Sequence, residues 1–254
     1  GWRGLAIAAL DVFGIDLKGQ AASGLARELE ERQLKSRPPG LYRVNLGEPS
    51  ALTPVGATAP IPADQGPLLL LLHGTGSSCE GSFGSLWDPG PGPARTARET
   101  LAPRYAGRVL AWEHRSLTES PITNALELVR ALPAGAELHL VSHSRGGLVG
   151  ELLCLAQRDP TTDPLRTGLL DGLFQADRTV AEQLGLGPLD GASQALRDAA
   201  YQADRLALAE LLRLLDEKGL RVSRFVRTAA PARGTPLASG RLDRWLSVVG
   251  HLGG

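Results

Sequence analysis

The chain has 254 residues, enough for one large α/β domain or two small ones, with 43% apolar and 21% charged residues, as in an ordinary globular protein. Lys plus Arg and Asp plus Glu both total 27, so no overall field favours a nucleic acid or an anionic membrane surface. Only two cysteines occur, Cys79 and Cys154, which suggests no disulfide framework and fits a reducing, cytoplasmic setting.

Residues 1 to about 34 carry helical spacing (Leu5, Ala8, Ala9 and Val12, then Leu25 and Leu29) and end in the charged stretch Arg27–Arg32. The apolar stretch Leu5 to Leu10 is short and closely followed by Asp11 and Asp16, unlike a signal peptide. Arg37-Pro38-Pro39-Gly40 breaks the pattern, so residues 1–37 are expected to form an N-terminal helical segment or linker. Leu41 to Leu46 alternates like a half-buried strand, and the Pro-, Ala- and Gly-rich stretch from Gly47 to Gly66 reads as loop.

From residue 67 the rhythm becomes strand, loop, helix. Leu68 to Leu72 is a continuous apolar run, as expected of a strand covered on both faces of a parallel sheet, and too short to span a bilayer. A helix follows at about Ala94–Leu101, then a strand at Arg108–Trp112. Ser120-Pro121 offers a cap and a first-turn proline for a helix over Ile122–Leu132. A third strand, Glu137–Val141, runs into Ser144, and a helix follows at Gly147–Gln157. Cys154 is expected to be a buried helical thiol.

Residues 159–220 interrupt the rhythm with turn signals and then a long helical pattern, Ala195–Leu215, with Leu196, Ala199, Ala203, Leu206, Ala207, Leu211 and Leu214 on one face. This reads as an inserted helical cap. Arg224–Ala229 resumes the sheet, so the expected fold is a doubly wound, mostly parallel α/β sheet over residues 38–254.

The chemistry gathers at Ser144. In Val141-Ser142-His143-Ser144-Arg145-Gly146-Gly147 the serine lies between a strand and a glycine-initiated helix, with small residues two positions either side. A nucleophile on a strained strand-to-helix turn needs that spacing, because strand and helix must approach closely. The pattern is G-x-S-x-G with Ser142 in place of the first glycine. A helix N-terminus aimed at the site also suits a developing oxyanion.

His73-Gly74-Thr75-Gly76-Ser77 directly follows the first buried strand, where such a fold places its oxyanion loop. The expected donors are the backbone N–H groups of Thr75 and Arg145, with Gly74 and Gly76 shaping the substrate side. A phosphate-cradling loop is the alternative for the two glycines. It would need a third glycine at position 79, which is Cys79.

Leu71–Gly76 and Val141–Gly147 resemble the oxyanion loop and elbow of bacterial lipases and esterases, and Thr228–Pro236 resembles the segment after a later strand in those proteins, departing from it at Ala230 and Ala232. Together with Glu80–Phe83 and Glu113–Pro121, these segments are similar to lipase-like α/β-hydrolase domains of bacterial multidomain proteins, some of which also carry a caspase-like CHAT protease domain. The resemblance covers roughly residues 40–250. It implies a hydrolase fold within a larger chain, and no particular substrate.

A serine nucleophile needs a base and an acid. After Ser144 the only histidine is His251, and beyond Ala229 the only acid is Asp243. Both fall in a helix-like stretch, Leu237–Leu252, whereas the family's acid and histidine lie on loops after two further strands. His73 is expected to pack in the oxyanion loop, His143 to fill the variable elbow position, His139 to lie mid-strand, and His114 to sit at a strand's carboxyl end. A start at Gly1, the lack of methionine and the missing last strands point to a piece of a longer protein, with Asp and His beyond Gly254. The expected activity is hydrolysis of an ester, of lipid or acyl type, by Ser144, with the cap as lid. The alternative is a non-catalytic interaction or effector module of a larger signalling or defence protein. No H-x-x-x-H or C-x-x-C grouping calls for a metal, and no cofactor is expected.

Overall fold

The computed structural model describes residues 20–46, 52–56, 60–86, 92–163, 166–168 and 191–229. Among them, strands β1 (Gly40–Val44), β2 (Leu52–Pro54), β3 (Leu68–Leu72), β4 (Val109–Glu113), β5 (Glu137–His143) and β6 (Arg221–Thr228) form one sheet in the order β2-β1-β4-β3-β5-β6. β4, β3, β5 and β6 run parallel, while β1 is antiparallel to both β2 and β4. The helices are α1 (Gln20–Leu34), α2 (Cys79–Phe83), α3 (Pro93–Tyr105), α4 (Pro121–Ala131), α5 (Gly146–Leu153) and α6 (Gly191–Lys218). The result is a mixed α/β fold with a mostly parallel sheet.

The five leucines of β3 explain why the sheet is covered on both sides. Leu68, Leu70 and Leu72 join a core with residues of α4, α5 and α6, whereas Leu69 and Leu71 face Cys79, Phe83 and Tyr105 on the other side. Each buried leucine contributes about 1.5–3 kcal/mol relative to exposure, so an alternating strand would forfeit half of this gain. α4 begins as its sequence specifies: Ser120 Oγ accepts the Thr123 N–H at 3.1 Å, with Pro121 in the first turn.

Several boundaries and two assignments differ from the sequence reading. The stretch Gly47–Gly66 is not all loop, because Leu52–Pro54 pairs with β1 as a short edge strand. Three residues give no readable alternation, and Pro54 is tolerated at a sheet edge that needs no donor there. The 159–220 segment is not wholly a cap. Leu208, Leu211, Leu214 and Leu215 of α6 are buried in the main core, and Lys218 Nζ donates to the Val129, Arg130 and Leu132 carbonyls at the end of α4. The C-terminal half of α6 is therefore the crossover helix that returns the chain to β6. Leu206, expected on its apolar face, is 72% exposed. The helix after Ser144 ends at Leu153 and tightens into a 3-10 turn, leaving Cys154 only partly buried. No helix of the described residues is long and apolar enough to cross a membrane.

Candidate active site

β5 delivers the chain to Ser144, whose φ of +49° lies in the left-handed region. That conformation costs a residue with a side chain about 1–2 kcal/mol, so it persists only where the surroundings impose it. Two backbone bonds do so: the Ser144 N–H donates to Thr228 O at 2.9 Å, and Ser144 O accepts from Gly147 N–H at 2.9 Å. Gly146 lets α5 pass the sheet, since a Cβ there would lie 2.3 Å from Leu72 O and 2.6 Å from His73 O. Ser142, the small residue on the strand side, is fully buried.

The glycine loop meets the serine. A Cβ on Gly74 would stand 2.9 Å from Ser144 Cβ and 3.0 Å from His143 Nδ1, so only glycine lets the loop lie so close. Gly76, at φ +58°, donates its N–H to Ser116 Oγ at 3.0 Å, which commits that amide to the protein. The Thr75 and Arg145 backbone N–H groups have no acceptor among the described residues. These are the two donors that the sequence singled out.

The Arg145 side chain was not legible in advance. It is 2% exposed and donates from Nη2 to Glu119 O, while Nε and Nη1 lack partners among the described residues. Burial lowers its pKa to about 10, and Glu30, Glu119 and Asp204 oppose that, so the guanidinium stays charged at neutral pH. Ser120 Oγ in turn donates to Asp204 of α6. Glu30 of α1, 1% exposed, accepts from Leu117 N–H at 2.7 Å and from Thr118 Oγ1. Nothing in the local sequence marks Glu30, which lies in a run of helical charges.

Beneath the loop lies a buried polar group of three. His73 and His114 stack with ring centres 3.9 Å apart. His114 N–H donates to His73 Nε2 at 3.2 Å, so the His73 proton is on Nδ1, which donates to Gly74 O at 2.9 Å. Glu113 accepts from Cys79 N–H at 3.0 Å, and its other oxygen is 3.5 Å from His73 Nε2. This approach is no ion pair: burial lowers His73 to about 4 and raises Glu113 to about 7, so both are neutral between those values. Burial, and then the neighbouring His73, hold His114 well below its usual value. Burial also pushes the Cys79 thiol up.

The sign of the resulting pH dependence is opposite for the two residue types. Below pH 6.5 the unfolded chain protonates both histidines while the folded one does not, so acid destabilises. Between 4.5 and 7 only the folded Glu113 holds a proton, so stability falls as pH rises. Each proton held by one state alone is worth about 1.4 kcal/mol per pH unit. Glu113→Gln removes the opposing contribution, so between pH 4.5 and 7 the loss of stability on acidification is expected to steepen by about one proton, or about 1.4 kcal/mol per pH unit, as read from denaturant unfolding across that range. An unchanged slope in the variant would refute the assignment.

No imidazole among the described residues hydrogen-bonds Ser144. His139 is buried and bonds Tyr105 Oη at 2.6 Å, His143 Nδ1 is buried without a partner, and His73 and His114 are engaged as above. His251 and Asp243 lie outside the described residues, as does most of Thr228–Pro236. Two surface depressions, of about 650 Å³ along α3 and about 410 Å³ beside β1, are not lined by Ser144.

The family model described as a domain of unknown function, DUF7379, matches residues 39–168, just over half of the chain. The chain belongs to this family. The match begins just before β1 and extends past α5, so the family region contains Gly74, Thr75, Ser144 and Arg145 but neither α1 nor α6 and β6. No curated protein and no solved structure matches the chain.

Proposed function

We propose that the protein is a serine hydrolase of the lipase-like α/β-hydrolase type, acting on an ester of lipid or acyl class. The observation that carries this reading is the left-handed Ser144 between β5 and α5, with Gly74 packed against its Cβ and two uncommitted amides beside it. Such a turn presents Oγ at the carboxyl end of a parallel strand and lifts it clear of the sheet. The serine oxygen attacks the ester carbonyl and gives its proton to a base. The carbonyl oxygen takes the negative charge and is met by the Thr75 and Arg145 N–H groups. Collapse expels the alcohol, and water then hydrolyses the acyl-serine by the same steps. The buried positive charge of Arg145 favours the anionic stage from close by.

The base and acid are proposed to come from outside the described residues, where His251 and Asp243, the only histidine and acid beyond Ala229, follow Ser144 in the order acid, His. The alternative reading is that the hydrolase-shaped domain is an interaction module of a larger protein and does no chemistry, because a fold does not by itself give a function. A fluorophosphonate probe separates the two. The full-length protein is expected to be labelled on the peptide containing Ser144, as mapped by mass spectrometry. An intact, folded protein that takes up no probe would sink the hydrolase reading and leave the module.

A further inference from the structure

The loop from His114 to Ser120 joins elements that are distant in sequence. Ser116, 2% exposed, accepts the Gly76 N–H at 3.0 Å and so fixes the turn that presents the Thr75 amide. Asn124 of α4 donates to Arg115 O at 3.0 Å, and Arg145 donates to Glu119 O. A further hold on this loop comes from α1. Glu30 takes the Leu117 N–H at 2.7 Å and the Thr118 hydroxyl, and lies 4.0 Å from the Arg115 guanidinium. These contacts flank Ser116 in sequence on both sides. A carboxylate that is almost fully buried carries a large desolvation cost and is retained only where several donors offset it. Those donors all belong to this one loop.

We infer that Glu30 is a positioning residue: through the 115–118 loop and Ser116 it sets the conformation of the Thr75–Gly76 turn, making α1 a working part of the site although it lies outside the family region. The chain of contacts runs from the Glu30 carboxylate to Leu117 N–H, from the same loop's Ser116 Oγ to Gly76 N–H, and from that turn to the amide beside Ser144. Removing the carboxylate frees the loop backbone, and Ser116 no longer stands in a fixed place for Gly76.

The test is amide exchange of the full chain, read at Gly76 and Leu117 by NMR, together with the rate of fluorophosphonate labelling. In Glu30→Ala the Gly76 amide is expected to exchange about tenfold faster, the loss of roughly one hydrogen bond. Ser116→Ala is expected to do the same at Gly76 while leaving Glu30 in place. Glu30→Gln, which keeps an acceptor for Leu117, is expected to restore most of the protection. Labelling of Ser144 is expected to slow in step with the Gly76 change and to recover in Glu30→Gln, which a general loss of stability would not reproduce. Normal Gly76 exchange in a folded Glu30→Ala protein would overturn the inference. If that variant does not fold, Glu30→Asp, which withdraws the carboxylate by one methylene, is judged by the same criterion. The labelling arm rests on Ser144 being the nucleophile, whereas the exchange arm does not, so an unlabelled wild-type protein refutes the hydrolase and still leaves Glu30 to be decided at Gly76.

Discussion

Ser144→Ala is expected to lower ester hydrolysis by at least about a thousandfold, because without the hydroxyl only binding and the oxyanion donors remain. Folding should be almost unaffected, since alanine keeps the same left-handed turn and the same two backbone bonds to Thr228 and Gly147. Ser144→Gly makes the complementary point. Glycine adopts φ +49° without the Cβ clash, so this variant should be equally inactive yet more stable than the parent by up to about 1 kcal/mol. Thermal midpoints of the three proteins, set beside their rates on a simple ester, check both halves. If the glycine variant were clearly less stable than the alanine one, strain at the turn would be the wrong description.

Gly146→Ala is expected to be the more damaging change to the fold. The added methyl would lie 2.3 Å from Leu72 O and 2.6 Å from His73 O, both of them backbone atoms that no rotamer change can move. Either α5 lifts from the sheet or β3 shifts beneath it, and overpacking of this kind costs about 3 kcal/mol. His73 follows β3 directly, so a shift there also moves Gly74 and the Thr75 amide relative to Ser144. Loss of labelling is therefore expected even in protein that remains folded, measured by denaturant unfolding and probe uptake on the same sample. Labelling at the parent rate would show that the helix start is not held as described.

Much of this was readable in the sequence, for reasons that particular residues make plain. Five consecutive leucines announce a strand with no exposed face, and Ser120-Pro121 announces the start of α4, because both signals act over a few residues. The tight turn at Ser144 was legible because its steric demands fall at fixed offsets, Ser142 and Gly146 about Ser144. What stayed hidden depends on contacts across long stretches of chain. Glu30 meets Leu117 and Thr118, and Arg145 faces acids from α1, the 114–120 loop and α6, yet none of these pairings leaves a local trace. Periodicity also misled at α6. It placed Leu211 and Leu214 on the apolar face, and both are buried, but it did not show that this face, with Leu208 and Leu215, serves the core of the sheet.

The bond from the Ser144 amide to Thr228 ties the turn at Ser144 to β6, which is synthesised after every other strand among the described residues. A ribosome delivers this turn early, but its anchor follows only after the entire β5–β6 connection. Until then the amide has no β6 carbonyl to bind, and a turn that strains its serine has little reason to hold that shape in a nascent chain. The order of translation thus delays the strained turn at Ser144 until β6 is in place to hold it.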